Sequence, residues 1–526
     1  MAIRRISPAE AKQRLGEAAA LALFDIRERG EYNTGHIPGS TSLPRRDIEF
    51  RLARLLPAPS VPVIVTGDVG ARDVRAATAL DRAGCNDVAI LEGGLAAWTQ
   101  AGYPIASGVN VPSKAFGEKV HAERRVPETT PQELAESIRG GAKPLVLDVR
   151  TPEEYARFCI PGAVNVPGGD LILWAEELKN SRAPVVVNCA GRTRSIVGTE
   201  ALRRLGVKDV RALRNGTMGW VLADYDLERP QRSPAAPSAS SRAAAERIAS
   251  RIAEEEKIAF ISVAQLGEVL IADKTTTVYP IDVRSLGEYL SGHIPGFFNV
   301  PGGQSVQCAD DHIAVRNAKI IFACDRTARA VMAAYWYGKM GFRNVFVLQD
   351  GSEGWARSGR SLEIGAPSER VFGLDEARAR AAFISSSALA SSIDRGEDPL
   401  VMDVGLSTEY ASGHVPGAVW LSRGWLEEIL PKHYPDLRLP IIATAADERQ
   451  SILAAAALSE MGYESVRALA GGTRDWIDGA KPIETGLTKT LAEANDVVLS
   501  ASVTGDKDAM RRYLDWEVKL TGKAER

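Results

Sequence analysis

Short, continuously apolar runs alternate along the chain with longer segments whose apolar residues recur at helical spacing. The clearest runs are VPVIVTG, APVVVNC, KIIFAC and PIIATA. Each is too short for a helix and apolar throughout, so it predicts a strand buried on both faces. Each leads through a loop into an alanine-rich helical segment. This alternation predicts an α/β fold in which small parallel sheets are flanked by helices on both faces.

The same order of elements occurs four times. A helical segment with Ser or Thr at its N-cap precedes a short strand, and that strand ends at Asp25, Asp148, Asp282 or Asp403. A Pro-Gly turn follows in each copy, then the second strand with its loop and helix, and finally a third strand with a Gly-x-x-x-Trp segment. Because the aspartates recur at intervals as long as a whole domain, the sequence predicts four tandem domains.

The repeats predict the domain boundaries. The four domains are expected at residues 1–110, 122–228, 257–366 and 375–485. Residues 229–256 begin with a Pro-, Ser- and Ala-rich stretch typical of a linker and continue with high helix propensity. We expect this insertion to divide the chain into two halves of two domains each. Residues 486–526 form a helical tail, since AMRRYLDWEVKL has the apolar spacing of a packed helix.

Composition and charge exclude several classes of protein. Of the 526 residues, 45% are apolar and 25% charged, and 64 basic against 67 acidic residues leave a net charge of −3. This balance gives no electrostatic basis for binding nucleic acid or an anionic membrane, and no apolar run has the length of a membrane-spanning helix. Five cysteines in so long a chain do not indicate a disulfide framework. We expect a reduced, cytoplasmic protein without a metal or organic cofactor.

The candidate chemistry lies in the loop after the second strand. Alignment on this strand places Cys189 and Cys324 in one column with Gly67 and Ala445, so two copies carry a thiol. A loop that leads from a parallel strand into a helix N-terminus directs backbone N–H groups inward, at the sheet edge where ligands bind. The helix dipole and neighbouring arginines are therefore expected to favour the thiolate and to make each cysteine a nucleophile.

Loop residues beside the two thiols are candidate contacts for an anionic substrate, because a guanidinium group donates two parallel hydrogen bonds to a sulfonate or carboxylate. The candidates are Arg192, Arg194, Gly191, Arg326 and Arg329. Arg194 and Arg329 are the stronger ones, since they share a column of the alignment. Cys324 is the weaker nucleophile of the two, because the adjacent carboxylate opposes ionisation and Arg326 replaces Gly191.

Two Asp-x-Arg pairs are expected to support the site. Asp148 with Arg150, and Asp282 with Arg284, should form ion pairs that brace the sheet edge and the loop. We expect the histidines of the Pro-Gly turn to be structural rather than catalytic. The second copy, which has the cysteine loop, has Cys159 in place of the histidine. These histidines are His36, His293 and His414.

Together these elements resemble the rhodanese family of sulfurtransferases. The resemblance rests on the ordered repetition of the D-x-R element, the GHIPG turn, the cysteine loop and the Gly-x-x-x-Trp segment. It implies four rhodanese-like domains and a double displacement, in which Cys189 takes sulfane sulfur from a small donor such as thiosulfate. The resulting persulfide would pass sulfur to a thiol or cyanide, or to a protein acceptor. The cysteine-free first and fourth domains would shape the pockets and cover the sheet edges of their neighbours.

Two other functions remain open. The first is a persulfide relay, which would deliver sulfur to a partner protein while turning over free thiosulfate poorly. The second is an oxyanion phosphatase or arsenate reductase. Rhodanese-like enzymes of that class have a loop one residue longer, whereas four residues separate Cys189 from Arg194 and Cys324 from Arg329. The shorter loop favours sulfur over phosphate chemistry.

Overall fold

The computed structural model describes residues 3–17, 19–68, 70–141, 143–230, 236–271, 277–397 and 399–522. These residues form four parallel five-stranded sheets. In every sheet the strands lie in the spatial order first, fifth, fourth, second, third along the chain. The predicted α/β architecture of four sheets flanked by helices is confirmed.

The strands recur with nearly the same lengths in all four domains. Domain 1 contains β1 Arg4–Ile6, β2 Ala22–Asp25, β3 Thr41–Ser42, β4 Val63–Thr66 and β5 Val88–Leu91. Domain 2 contains β6 Glu128–Thr129, β7 Leu145–Asp148, β8 Val164–Asn165, β9 Val185–Asn188 and β10 Val210–Leu213. Domain 3 contains β11 Ala259–Ile261, β12 Val278–Asp282, β13 Phe298–Asn299, β14 Lys319–Ala323 and β15 Val345–Leu348. Domain 4 contains β16 Phe383–Ile384, β17 Leu400–Asp403, β18 Val419–Trp420, β19 Ile441–Thr444 and β20 Val466–Leu469.

Helices separate the strands and also connect the domains. Those up to the end of domain 2 are α1 Pro8–Gly16, α2 Arg29–Thr34, α3 Ile48–Leu55, α4 Ala71–Arg82, α5 Gly94–Gln100, α6 Val111–Arg124, α7 Pro131–Arg139, α8 Pro152–Arg157, α9 Leu171–Lys179, α10 Thr193–Arg204 and α11 Gly216–Leu222. The next are α12 Ala239–Glu255, α13 Val263–Ile271, α14 Leu286–Ser291, α15 Gly302–Gln307, α16 Ala309–His312, α17 Ala328–Lys339, α18 Gly351–Arg357 and α19 Leu374–Arg380. The last are α20 Ser386–Asp394, α21 Ser407–Ser412, α22 Leu426–His433, α23 Glu448–Glu460, α24 Gly472–Asp478, α25 Ala501–Thr504 and α26 Lys507–Val518. Short 3₁₀ helices lie at Arg45–Asp47, Gly168–Asp170, Arg423–Trp425 and Lys519–Gly522.

The four domains form two compact units, and the domains that share a unit differ from the predicted pairs. Unit 1 contains Met1–Val109, Ala314–Arg316 and Glu369–Val498, which are domains 1 and 4 with a short inserted segment. Unit 2 contains Asn110–Ile313, Asn317–Ser368 and Leu499–Arg526, which are domains 2 and 3 with the C-terminal segment. The expectation that the insertion divides the chain into two halves is therefore wrong.

Helix α12 explains why the two cysteine-bearing domains belong to one unit. It packs against α9 of domain 2 and α17 of domain 3 and buries Ile248 and Ile252. The insertion thus joins these domains by removing apolar surface of both from water. Residues 231–235 of the predicted linker lie outside the described residues.

Domains 2 and 3 also approach each other through glycine backbones. A Cβ atom added to Gly169 would lie 2.9 Å from the Cα of Gly302, and one added to Gly302 would lie 3.2 Å from the Cα of Gly169. Any larger side chain would separate the two segments, so the close packing requires glycine at both positions.

In unit 1, domain 4 buries an aspartate without the arginine that the other copies have beside it. Gly405 stands where the other copies have the arginine of D-x-R, and Asp403 accepts hydrogen bonds from the Gly405 backbone at 3.0 Å and from Thr473 Oγ1 at 3.3 Å. Burial raises the pKa of the Asp403 carboxyl to about 7, although both hydrogen bonds lower it. A neutral carboxyl group is therefore the stable form below that pH.

The variant Asp403→Asn is expected to change the pH dependence of stability. An unfolded aspartate ionises near pH ~3.9, so the folded state binds this proton more tightly, and the stabilisation it provides is lost as the pH rises from about 4 to about 7. The amide avoids this loss. Urea unfolding should show the variant more stable than wild type at pH 8, by up to about 4 kcal/mol, and the difference should shrink towards pH 4. The exposed Asp478→Asn serves as control, and an equal effect there would contradict the assignment.

Candidate active site

Cys189 lies at the carboxyl end of β9, immediately before the loop that enters α10, and is 2% exposed. Its carbonyl oxygen accepts hydrogen bonds from the Thr217 backbone at 2.8 Å and from Thr217 Oγ1 at 3.1 Å. Gly216 begins α11 directly over this carbonyl with φ +54°, and a Cβ there would lie 2.3 Å from the Cys189 oxygen. The glycine of the Gly-x-x-x-Trp segment is therefore required to position the thiol.

The predicted Asp-x-Arg ion pairs are confirmed. Arg150 donates to both carboxylate oxygens of Asp148, with Nη2 to Oδ2 at 2.8 Å, and donates to the Phe158 carbonyl at 2.6 Å. Asn188 beside Cys189 donates to the same carboxylate at 3.0 Å. The pair thus links the Pro-Gly turn, β7 and the end of β9.

The equivalent pair in domain 3 has the same geometry. Arg284 Nη2 lies 2.6 Å from Asp282 Oδ2 and donates to the Gly292 carbonyl at 2.8 Å. The turn histidines are also structural, because each Nδ1 lies within hydrogen-bonding distance of a backbone carbonyl. These carbonyls belong to Tyr32 for His36, Tyr289 for His293 and Tyr410 for His414.

Carboxylates bind both arginines of the Cys189 loop. Arg192 is paired with Glu118 of α6, with Nε to Oε1 at 2.6 Å and Nη2 to Oε2 at 2.9 Å. Arg194 is paired with Glu154 of α8 through two hydrogen bonds of 2.6 and 2.8 Å and also donates to Gln304 of domain 3 at 3.4 Å. Both guanidinium groups are therefore neutralised within the protein, and their contact with a substrate anion stays a prediction.

The domain 3 arginines differ from each other. Arg329 is buried and donates to Glu288 at 2.8 Å, to Asp325 at 2.9 Å and to Asp170 of domain 2 at 3.1 Å. Arg326 is exposed, and its Nε lies 3.9 Å from a carboxylate oxygen of Glu353. Three carboxylates around one guanidinium group leave negative charge near Cys324, which agrees with its rank as the weaker nucleophile.

The surroundings of Cys189 oppose the thiolate form that the sequence analysis expects. Burial raises the pKa of its thiol, and Arg194 together with the hydrogen bond to Ser195 lowers it by less. Because Arg194 is paired with Glu154, its charge acts on the sulfur only in part. Burial therefore favours the protonated thiol over the thiolate in this arrangement.

Ser195 is a site residue to which the sequence analysis gave no role. The Cys189 thiol donates to Ser195 Oγ at 3.5 Å, and this hydroxyl donates to the Arg192 carbonyl at 2.8 Å. In domain 3 the same position is Ala330, so Cys324 has only a backbone N–H there. Burial and Asp325 raise the pKa of Cys324 well above its usual value. The sequence offered one sign of this role, since a serine lies six residues after the cysteine in domain 2 and an alanine lies there in domain 3.

The other two domains fill the thiol position differently. In domain 1 a Cβ added to Gly67 would lie 1.9 Å from Asp73 Oδ1, so a carboxylate occupies this space. In domain 4 the position is the buried Ala445. The expectation that these domains shape the cysteine sites stays a prediction.

Every helix among the described residues is too short or too polar to span a lipid bilayer. In the same part of the chain, no group of three His, Cys, Asp or Glu side chains is placed to hold a metal ion.

Comparison with known proteins agrees with this architecture. The family model of the rhodanese-like domain matches residues 7–101, 130–223, 263–358 and 385–478. The chain belongs to the rhodanese-like family. A crystal structure of thiosulfate sulfurtransferase from Pseudomonas aeruginosa superposes on this rhodanese-like chain with a TM-score of 0.90 and 34% sequence identity, covering 99% of this chain and 98% of the other.

Two curated proteins are similar to shorter parts of this rhodanese-like chain. Thiosulfate sulfurtransferase from Azotobacter vinelandii is 27% identical over 208 residues, which cover 36% of this chain and 75% of the relative. A sulfurtransferase from Allochromatium vinosum is 30% identical over 105 residues, which cover 20% of this chain and 96% of the relative.

Alkylation of Cys189 by iodoacetamide should report its raised pKa. Because burial disfavours the charged form, the thiolate of the folded protein should appear at a higher pH than that of the same cysteine in the urea-unfolded chain. The rate constant at Cys189, followed against pH by peptide mass spectrometry, should therefore rise at higher pH in the folded protein. A folded-state rise at lower pH than in the unfolded chain would restore the thiolate expectation.

Proposed function

We propose that the protein is a sulfurtransferase that carries sulfane sulfur on Cys189. The observation that supports this best is the position of a thiol at the carboxyl end of β9, with the Ser195 hydroxyl and the α10 N-terminus beside its sulfur. Backbone N–H groups and a hydroxyl at this place suit a sulfur anion, whether thiolate or persulfide. Membership of the rhodanese-like family and the name of the P. aeruginosa structure support the same chemistry.

The proposed reaction is a double displacement. The Cys189 thiol loses its proton, and the thiolate attacks the outer sulfur of thiosulfate. The sulfur–sulfur bond of thiosulfate breaks, and sulfite leaves with the electron pair. The resulting persulfide is then attacked at its outer sulfur by an acceptor such as cyanide or a thiolate, which restores the Cys189 thiolate. Neither step requires an external oxidant or reductant.

The contact of Ser195 with the sulfur gives this residue a positioning role. When the sulfur is ionised, the Ser195 hydroxyl can turn from the Arg192 carbonyl and donate to the sulfur, and this hydrogen bond lowers the pKa of Cys189 against the effect of burial. Ala330 leaves Cys324 without this hydroxyl, and Asp325 places a carboxylate beside that sulfur. We therefore assign the main catalytic function to Cys189 and a lesser one to Cys324.

Intact mass spectrometry after exposure to thiosulfate tests the proposal. Wild type and Cys324→Ser should gain the mass of one sulfur atom, and reduction by a small thiol should remove it. Cys189→Ser should lose this adduct, with thiosulfate:cyanide activity falling by about 1,000-fold or more, as expected when a nucleophile is removed.

Three other outcomes would contradict this assignment. An adduct on neither cysteine would exclude the persulfide mechanism. An adduct on Cys324 alone would reverse the roles of the two cysteines. Phosphate-ester hydrolysis lost in Cys189→Ser would favour the phosphatase alternative.

A further inference from the structure

Helix α26 of the C-terminal segment covers the Cys189 loop with a carboxylate. Glu517, 1% exposed, accepts hydrogen bonds through Oε1 from Thr193 Oγ1 at 2.6 Å and from the Thr193 backbone at 3.3 Å. Thr193 is the first residue of α10. The carboxylate thus binds the first N–H group at the positive end of the helix that follows the thiol, a place that suits an anionic substrate group.

The other oxygen of Glu517 points into the loop. Oε2 is buried and has no hydrogen-bond partner among the described residues. A Cβ added to Gly191 would lie 3.4 Å from this oxygen and 3.3 Å from Cε1 of Tyr513 on the same helix. The nearest atom to such a Cβ is Cε of Met218 in α11, at 2.9 Å, so α11 and α26 both pack closely against the loop at Gly191. Cys189 in this loop is buried.

The docking of α26 depends on a small apolar contact. Met510 and Leu514 form a separate cluster with Met218 of α11. Lys114 of α6 places its ammonium group 5.2 Å from the Tyr513 ring centroid and 5.1 Å from that of Trp516. A cluster of this size stabilises a helix less than incorporation into a domain core, so separating α26 should cost less free energy than unfolding domain 2.

A second carboxylate covers the Cys324 loop in the same way, but from a different kind of helix. Glu246 of α12 accepts from Thr327 Oγ1, from the Thr327 backbone at 3.5 Å and from the Ala328 backbone at 3.2 Å. Helix α12 lies between α9 and α17 and buries an apolar face along its whole length. Moving Glu246 would expose the surface that holds domains 2 and 3 together.

We propose that α26 is a displaceable cover on the Cys189 site, in which Glu517 takes the place of the donor's anionic group, and that α12 is a fixed cover on Cys324. The donor would compete with Glu517 for Thr193, and its binding would open the thiol to the acceptor. The role given to the donor rests on the proposed sulfurtransferase function. The covers themselves do not depend on it.

It follows from this proposal that a small reagent should reach Cys189 more readily than Cys324. In the native protein, iodoacetamide, an uncharged reagent, should label Cys189 and leave Cys324 unlabelled over the same period, as measured by peptide mass spectrometry at one pH. Equal labelling of both cysteines, or faster labelling of Cys324, would overturn the proposal. This measurement needs only the wild-type protein.

Two variants of α26 test the cover directly. Leu514→Ala removes an apolar anchor and should raise the labelling rate of Cys189 by about 10-fold or more, since loss of a buried leucine commonly changes an equilibrium by at least that factor. The matched control is Val518→Ala, whose side chain is 46% exposed on the same helix. Glu517→Gln should raise the rate as well, whereas the exposed Asp515→Asn should not. The rate at Cys324 should stay constant in all four variants.

Labelling of Cys189 that is equal in wild type, Leu514→Ala and Glu517→Gln would show that α26 does not cover the site. These measurements do not require sulfur transfer. If labelling follows the proposal while thiosulfate leaves no adduct, the cover stands and the proposed function fails. If an adduct forms while labelling is insensitive to α26, the function stands and the cover is excluded.

Discussion

The pairing of buried guanidinium groups with carboxylates organises the cysteine-bearing unit. Arg192 is buried and the Arg194 side chain is 14% exposed, so an unpaired charge on either would be costly. Each obtains its carboxylate from a different helix, Glu118 of α6 and Glu154 of α8. The loop is thereby held in place by the elements around it. The same pairing weakens the effect of Arg194 on the sulfur, so that burial dominates and raises the pKa of the thiol.

The four domains share one fold but have different side chains at the position of the Cys189 thiol. At the end of the second apolar strand, domains 2 and 3 have a thiol, domain 1 has the space filled by Asp73, and domain 4 has an alanine. The sheet order is the same in all four. The position can lose its chemistry without loss of the fold, because the strands are stabilised by their buried apolar faces rather than by the loop. Unit 1 has therefore kept the architecture while its loops hold no thiol.

The described contacts also explain why the two thiols are unequal. Ser195 places a hydroxyl beside Cys189, whereas Ala330 cannot, and Asp325 adds a carboxylate beside Cys324. Glu517 binds the start of α10 from the peripheral helix α26. Glu246 binds the start of α17 from α12, which lies between domains 2 and 3. The neighbouring hydroxyl and the local charge both favour ionisation of Cys189 over that of Cys324. Together they distinguish two sites that have closely similar backbones.

The sequence by itself determined what depends on short-range patterns. Apolar runs of strand length predicted the parallel sheets, and the Asp148–Arg150 pair was predictable because its partners lie two residues apart on one strand end. The position of Cys189 followed for the same reason. Only the tertiary structure decided the grouping of domains, the carboxylate partner of each arginine and the burial that raises the pKa of the thiol. These depend on residues such as Glu118 and Glu517, which are far from the loop in sequence. Periodicity specifies that a face is buried, but it does not specify which distant charge will be buried with it.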